Sequence, residues 1–285
     1  MQTKNAHSNK SKGCRTEYDT LTNVLVSKPE HMKIIEVINE TQKHYSKDNI
    51  DIERAMEQHK QFTSILRDHH VEVEYLPTEE ELNEQVFTRD IAFRIGDTMF
   101  VSSLASKLRQ GETKPLLDYL EAENIPFTRL NGPPIEGGDV IVDKDTVFIG
   151  ISNRTKPAAM DYLQQALPDY TLIPLKIRKD ILHLDCAFNI VGEHTALIYS
   201  AAFEQQDADR LKQMYDCIEV SDQEQFHLGT NVLSIGERKV ICLPQNEQTN
   251  QKLQEAGFEI IEVDLSEIIK SGGAFRCCSM PISRN

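Results

Sequence analysis

One short pattern returns along the chain at a nearly constant interval, and it restricts the fold more than any other feature. Asp90, Asp139, Asp185 and Asn231 each stand just ahead of an apolar stretch, a polar turn of two to four residues and a second apolar stretch. Asp90 followed by IAFRIGDTMFVSS and Asp185 followed by CAFNIVGEHTALIYS show the form. The intervals are 49, 46 and 46 residues, and one further step of 46 lands on Cys277. Self-similarity of this length marks a stacked or radial repeat, in which each unit sets its leading residue at an equivalent point. Units closed about an axis would bring three acids, an amide and a thiol to one cavity.

Between the hairpins, apolar spacing predicts helices at about 112–123, 156–167, 204–215 and 247–255, each followed by a short strand at 127–130, 171–175, 217–220 or 258–263. Ahead of the first hairpin lie a strand over 20–29, ended by Pro29, and a helix over about 48–70 with Asp48 or Asp51 as its cap. A strand over 71–77 follows. The fifth unit starts at Cys277 but has room for one strand only, so 23–27 is expected to complete it and remove the exposed edge. The expected fold is a five-bladed α/β barrel or propeller with approximate fivefold symmetry. It is closed by pairing of the N- and C-terminal strands and spans 17–285 as one domain, behind a polar, flexible tail over 1–16.

With 45 acidic against 31 basic residues, the net charge is −14, which argues against a nucleic-acid partner because phosphate binding needs clustered Lys and Arg. Six cysteines without a CxxC pair read as reduced thiols of a cytoplasmic protein. No apolar run approaches a membrane span, and the first residues carry no signal peptide.

Cys277 lies in SGGAFRCCSMP, where Gly272 and Gly273 allow tight backbone. If the segment is a strand, Cys277 and Cys278 face opposite ways, and the repeat register selects Cys277 for the cavity. By the same alternation His183 and Asp185, in HLDCAF, share a face and put a proton shuttle beside a carboxylate. Glu136 lies in PPIEGGD, where two glycines permit a bulge that re-aims the acid inward. Asp139 and Asn231 also fit a plain turn-capping role. A metal centre is not expected, since one thiol among acids and amides is an odd zinc set. Several carboxylates around a thiol disfavour an oxyanion and suit a cation; a planar guanidinium matches two carboxylates in bidentate fashion.

At FTRD (87–90), EGGDV (136–140), the NRT of ISNRT (151–155), HLDCAF (183–188) and RCCSMP (276–281), the chain resembles the guanidino-group modifying enzymes. These are the arginine deiminases, dimethylarginine dimethylaminohydrolases and arginine:glycine amidinotransferases, which share the five-bladed α/β propeller known as the pentein fold. The resemblance implies that Cys277 is the nucleophile and His183 the general acid and base, assisted by Glu136. Asp90 and Asp185 would hold the guanidinium nitrogens, Arg154 the substrate carboxylate, and Arg109 is the candidate for a second such arginine. Asp139 is carried among the substrate-side residues.

The activity implied is hydrolysis of a guanidino compound without any cofactor, with methylated arginine ahead of arginine because the chain lacks room for the helical insertion of arginine deiminases. Amidino transfer, hydrolysis of a ureido compound, and a non-catalytic propeller binding protein are the other readings. The expected partners are a small guanidino substrate and, as an assembly, a homodimer.

Overall fold

The apolar stretches flanking each polar turn fold as antiparallel hairpins whose strands are buried at nearly every position, as Phe188–Gly192 is throughout. The computed structural model describes residues 13–285. Strands β1 (Leu21–Ser27) and β2 (Glu72–Leu76) come first. They are followed by β3 (Ala92–Ile95), β4 (Thr98–Val101) and β5 (Phe127–Arg129), then β6 (Val140–Asp143), β7 (Thr146–Ile151) and β8 (Thr171–Lys176). Next are β9 (Phe188–Gly192), β10 (Thr195–Ile198) and β11 (Asp216–Glu219), then β12 (Leu233–Gly236), β13 (Lys239–Cys242) and β14 (Glu259–Glu262), and lastly β15 (Met280–Arg284).

They form five three-stranded sheets: β3-β4-β5, β6-β7-β8, β9-β10-β11, β12-β13-β14 and β15-β1-β2. In each, the first pair is antiparallel and the second parallel. The last sheet joins residues from both ends of the sequence, with Val24 opposite Pro281 and Leu25 opposite Met280. The expected pairing of 23–27 with the strand after Cys277 is therefore present. β6 packs against β9, β9 against β12, β12 against β1 and β15 against β3, while Phe93 and Phe100 share an apolar cluster with Val140 and Val147. Pro174 and Pro281 lie on β8 and β15, outer strands of their sheets, where a missing N–H removes no ladder bond.

A parallel neighbour needs a crossover, and a helix supplies it ahead of each third strand. These helices are Ile52–Asp68, Thr113–Ala122, Ala159–Ala166, Gln205–Met214 and Glu247–Glu255. Asp51, not Asp48, caps the first, accepting from the Arg54 amide. That helix buries Ala55, Phe62 and Leu66, and Phe62 meets Phe275 edge-on at 5.3 Å, two residues from Cys277. Among the described residues, no helix is long and apolar enough to cross a membrane.

Three expectations need amendment. Of the tail expected over 1–16, residues 1–12 lie outside the described residues, while Cys14 and Thr16 are buried and bridge to Gly96 and Asp143. The leading residues do not sit on strands: Asp90 lies in a helical turn (Thr88–Ile91), Asp139 and Asp185 in 3-10 turns (Gly137–Asp139 and Leu184–Cys186). Cys277 occupies a helical turn in which Cys278 N donates to Ala274 O at 2.9 Å. Period-two alternation thus does not aim these side chains; single helical turns at the mouths of the hairpins do. For the same reason the Gly137–Gly138 pair forms a 3-10 turn rather than a bulge.

Candidate active site

The leading turns pack against one another and deliver their side chains to a buried cluster. Cys277 Sγ accepts from Asn231 Nδ2 at 3.1 Å and lies 3.6 Å from Asp185 Oδ2. Asn231 Oδ1 in turn accepts from the backbone amides of Ala274 and Cys277, at 3.2 and 3.3 Å. This amide, for which the register and a turn-capping role were both open, braces both the loop and the sulfur. The signal that could have assigned it was the 46-residue register itself.

His183 Nε2 is 2.8 Å from Glu136 Oε2, and its Nδ1 is 3.5 Å from Asp90 Oδ1. Burial opposes charging of this ring, but Asp90, the Glu136 hydrogen bond and Asp139 outweigh it and push the imidazole up to about 10. Glu136 is likewise opposed by burial, yet His183, Arg154 and Arg109 hold it below the usual carboxylate range. Its other oxygen, Oε1, accepts from Ala105 N at 2.9 Å. Gly138 makes the close approach feasible, because a Cβ there would stand 2.8 Å from both Asp90 Oδ1 and His183 Nδ1.

Asp90, Glu136 and His183 place one ligand atom each within 4.8 Å of one another. A metal requires neutral imidazole, whereas this ring is held as imidazolium by the same carboxylates. The trio fits a proton-holding site better than a metal centre.

Asp185 stands against Cys277 and Asp90 against His183, but each already carries a guanidinium from the protein. Arg276 Nη1 binds Asp185 Oδ2 at 2.8 Å, and Arg109 Nη1 binds Asp90 Oδ2 at 2.7 Å. Arg109 also forks onto Glu112 at 2.9–3.1 Å, so in this structure it is held on Asp90 rather than placed to grip a distant carboxylate. Asp139 accepts from Leu184 N at 2.8 Å and from Ser152 Oγ at 2.6 Å. It ties two leading turns together, and burial pushes its carboxyl up to about 6.

Asp90, Arg109, Arg154 and Cys277 line one narrow chamber of about 10 Å³ together with Ile38 and Asn39. Beside it lies a cleft of about 280 Å³ that Arg154 shares with Asn153 and Lys179. Arg154 Nη1 is 3.7 Å from Glu136 Oε1, without hydrogen-bond geometry.

Glu84 was not foreseen. Its carboxyl accepts from Gln42 Nε2 at 2.9 Å and from Ser271 Oγ at 2.8 Å, fastening the helix Glu40–His44 to the loop before Cys277. Burial pushes this carboxyl from 4.5 up to about 8, against Arg109 and the Ser271 hydrogen bond. A carboxyl raised in the fold binds its proton more tightly when folded, so its contribution to stability declines as pH rises from 4.5 to about 8. Glu84→Gln is therefore expected to gain thermal stability relative to wild type across that window. A melting-temperature difference that does not change with pH would contradict this.

With a buried thiol, an imidazole and several carboxylates at the leading turns of five like sheets, the chain falls in the guanidino-group modifying superfamily. The family model described as "N,N dimethylarginine dimethylhydrolase, eukaryotic" matches residues 28–284, and the chain belongs to that family. It is 54% identical over 271 residues to the uncharacterized protein YkgA of Bacillus subtilis (strain 168), covering 95% of each chain. It is 28% identical over 242 residues to an arginine deiminase of Mycobacterium avium (strain 104), a match spanning 70% of this chain and 60% of the deiminase. In fold it is similar to the N-terminal domain of ArgZ, an arginine dihydrolase from the ornithine-ammonia cycle in cyanobacteria. The TM-score is 0.85 at 24% identity, covering 93% of this chain and 98% of that one.

Proposed function

We propose that the chain is a cysteine-dependent hydrolase of guanidino compounds, with methylated arginine ahead of arginine as substrate and citrulline plus amine or ammonia as products. In this reading the five sheets are blades of a closed pseudo-fivefold propeller, and residues 17–285 form one catalytic unit. The carrying observation is that Cys277 and Asp90 line one chamber while Asp185 stands against the sulfur at 3.6 Å. Two carboxylates beside a nucleophile suit an electrophile that is itself a cation.

Asp90 Oδ1 is buried and accepts no hydrogen bond from the described residues, which leaves an acceptor for a substrate N–H. The substrate cation lowers the cost of a Cys277 thiolate, which attacks the guanidinium carbon. His183, held charged by Asp90 and Glu136, donates its proton to the departing amine and leaves an S-alkylthiouronium on Cys277. Neutral His183 then takes a proton from water as it adds, and the ureido product leaves with the thiolate restored. Acid–base help of this kind contributes roughly 10²–10⁴-fold.

The cleft holding Arg154 and Lys179 suits the carboxylate of an amino-acid substrate. A panel of arginine, mono- and dimethylarginine, agmatine and citrulline, assayed for ureido product, ammonia and amine, tests the reaction class. Arg154→Ala is expected to raise KM for the carboxylate-bearing guanidines and leave agmatine little changed. Equal effects on both would remove the carboxylate assignment.

A further inference from the structure

The site holds a second thiol for which the hydrolysis has no use. Cys186 follows Asp185 directly, and its Sγ lies 3.6 Å from Asp185 Oδ1 while Cys277 Sγ lies 3.6 Å from Oδ2. The two sulfurs therefore sit on the two oxygens of one carboxylate. Both are free thiols. Cys186 opens onto a cleft of about 260 Å³ whose wall includes Asn39, Leu182 and Gly272, and the same three residues line the chamber of Cys277. The cleft at Cys186 and the chamber at Cys277 thus adjoin. Cys278, the other near thiol, is fully buried and lines neither space.

We propose that Cys186 and Cys277 are an oxidisable pair that closes to a disulfide when the protein meets a hydroperoxide, reversibly blocking the site. In the first step the Cys277 sulfur attacks one peroxide oxygen; the O–O bond breaks, Cys277 becomes a sulfenic acid, and water leaves with the thiol proton. In the second, Cys186 attacks that sulfur, the S–O bond breaks, and the departing hydroxide takes the Cys186 proton as water. Two thiols are oxidised and one peroxide is reduced, with nothing else consumed. Asp185 lies against both sulfurs and is placed to relay the Cys186 proton. Before oxidation Cys186 stays a neutral thiol: its contact with Cys277, burial and Asp185 all push it well above the ordinary thiol range. Cys277, which lines the chamber with Asp90 and Arg109, is the sulfur expected to react first.

The cross-link rests on geometry alone; the accompanying loss of activity rests in addition on Cys277 being the nucleophile. The test uses the reduced full-length chain, exposed to a small excess of hydrogen peroxide, alkylated and mapped by mass spectrometry. Two of its six cysteines should become unreactive, the intact mass should fall by two hydrogens, and a Cys186–Cys277 peptide should appear. Activity should be lost and then restored by dithiothreitol.

In Cys186→Ser, and in Cys186→Ala should the hydroxyl disturb Asp185, peroxide should carry Cys277 to the sulfinic acid, which dithiothreitol does not reduce. Wild-type protein yielding Cys277 sulfinic acid without a cross-link, a Cys277–Cys278 link, or six unreacted thiols would each overturn the pair. A cross-link that leaves activity intact would uphold the pair and instead remove Cys277 as nucleophile.

Discussion

Cys277→Ala and His183→Ala are each expected to lower turnover by roughly 10⁴–10⁶-fold, the loss seen when one member of a nucleophile–base unit is removed. Neither change should unfold the protein, because Ala leaves the leading turns and their backbone hydrogen bonds in place. Cys278→Ala is the control: its thiol is buried away from the chamber, and the variant should keep turning over. Full activity in either of the first two variants, with circular dichroism unchanged, would end the proposed mechanism. The pH profile adds a second reading. His183 can serve as acid only while charged, so in the unliganded protein that capacity is lost as pH rises through about 10. Its pairing with Asp90 and Glu136 likewise stabilises the fold fully below 6.5 and ceases to do so through about 10.

Arg276→Met should destabilise the protein more than any surface change. Arg276 is buried, with Nη1 on Asp185 at 2.8 Å and Nη2 on Glu17 at 3.0 Å and on Val140 O at 2.7 Å. Burial alone would raise the Glu17 carboxyl, yet Arg276, Arg89 and Arg284 together hold it down at about 2. Removing Arg276 leaves two carboxylates without their main partner in the interior, at a cost of roughly 3–5 kcal/mol. Because Glu17 and Asp185 lose the same partner, Arg276→Met combined with Glu17→Gln should cost less than the two changes summed. Denaturant unfolding decides the matter. A single variant within about 1 kcal/mol of wild type would mean water replaces the arginine readily.

The hairpins were legible because their apolar pairs repeat with a polar turn between them, and the register alone marks Asp90, Asp139, Asp185, Asn231 and Cys277. The five crossover helices were legible by their buried spacing. The manner in which the leading residues are aimed was not, since a 3-10 turn such as Leu184–Cys186 has one i→i+3 bond and no periodicity to read. The five-residue helix Glu40–His44 escaped for a related reason: it is too short to nucleate alone and is held by Asn39 at its cap and by Glu84 and Ser271 beyond it. Nor could spacing reveal that Arg109 and Arg276 pair with the acids expected to meet the substrate. Both arginines stand near the motifs, but ion pairing across 19 and 91 residues is a property of the assembled interior.

The chamber around Cys277, at about 10 Å³, is large enough for a single water and far too small for a guanidine. Under the proposed reading a guanidine is admitted only when the chamber widens, and Asn39 on its wall is moored by Nδ2 to Ser271 O at 3.0 Å. Traffic and bond-making then occupy separate intervals of each cycle.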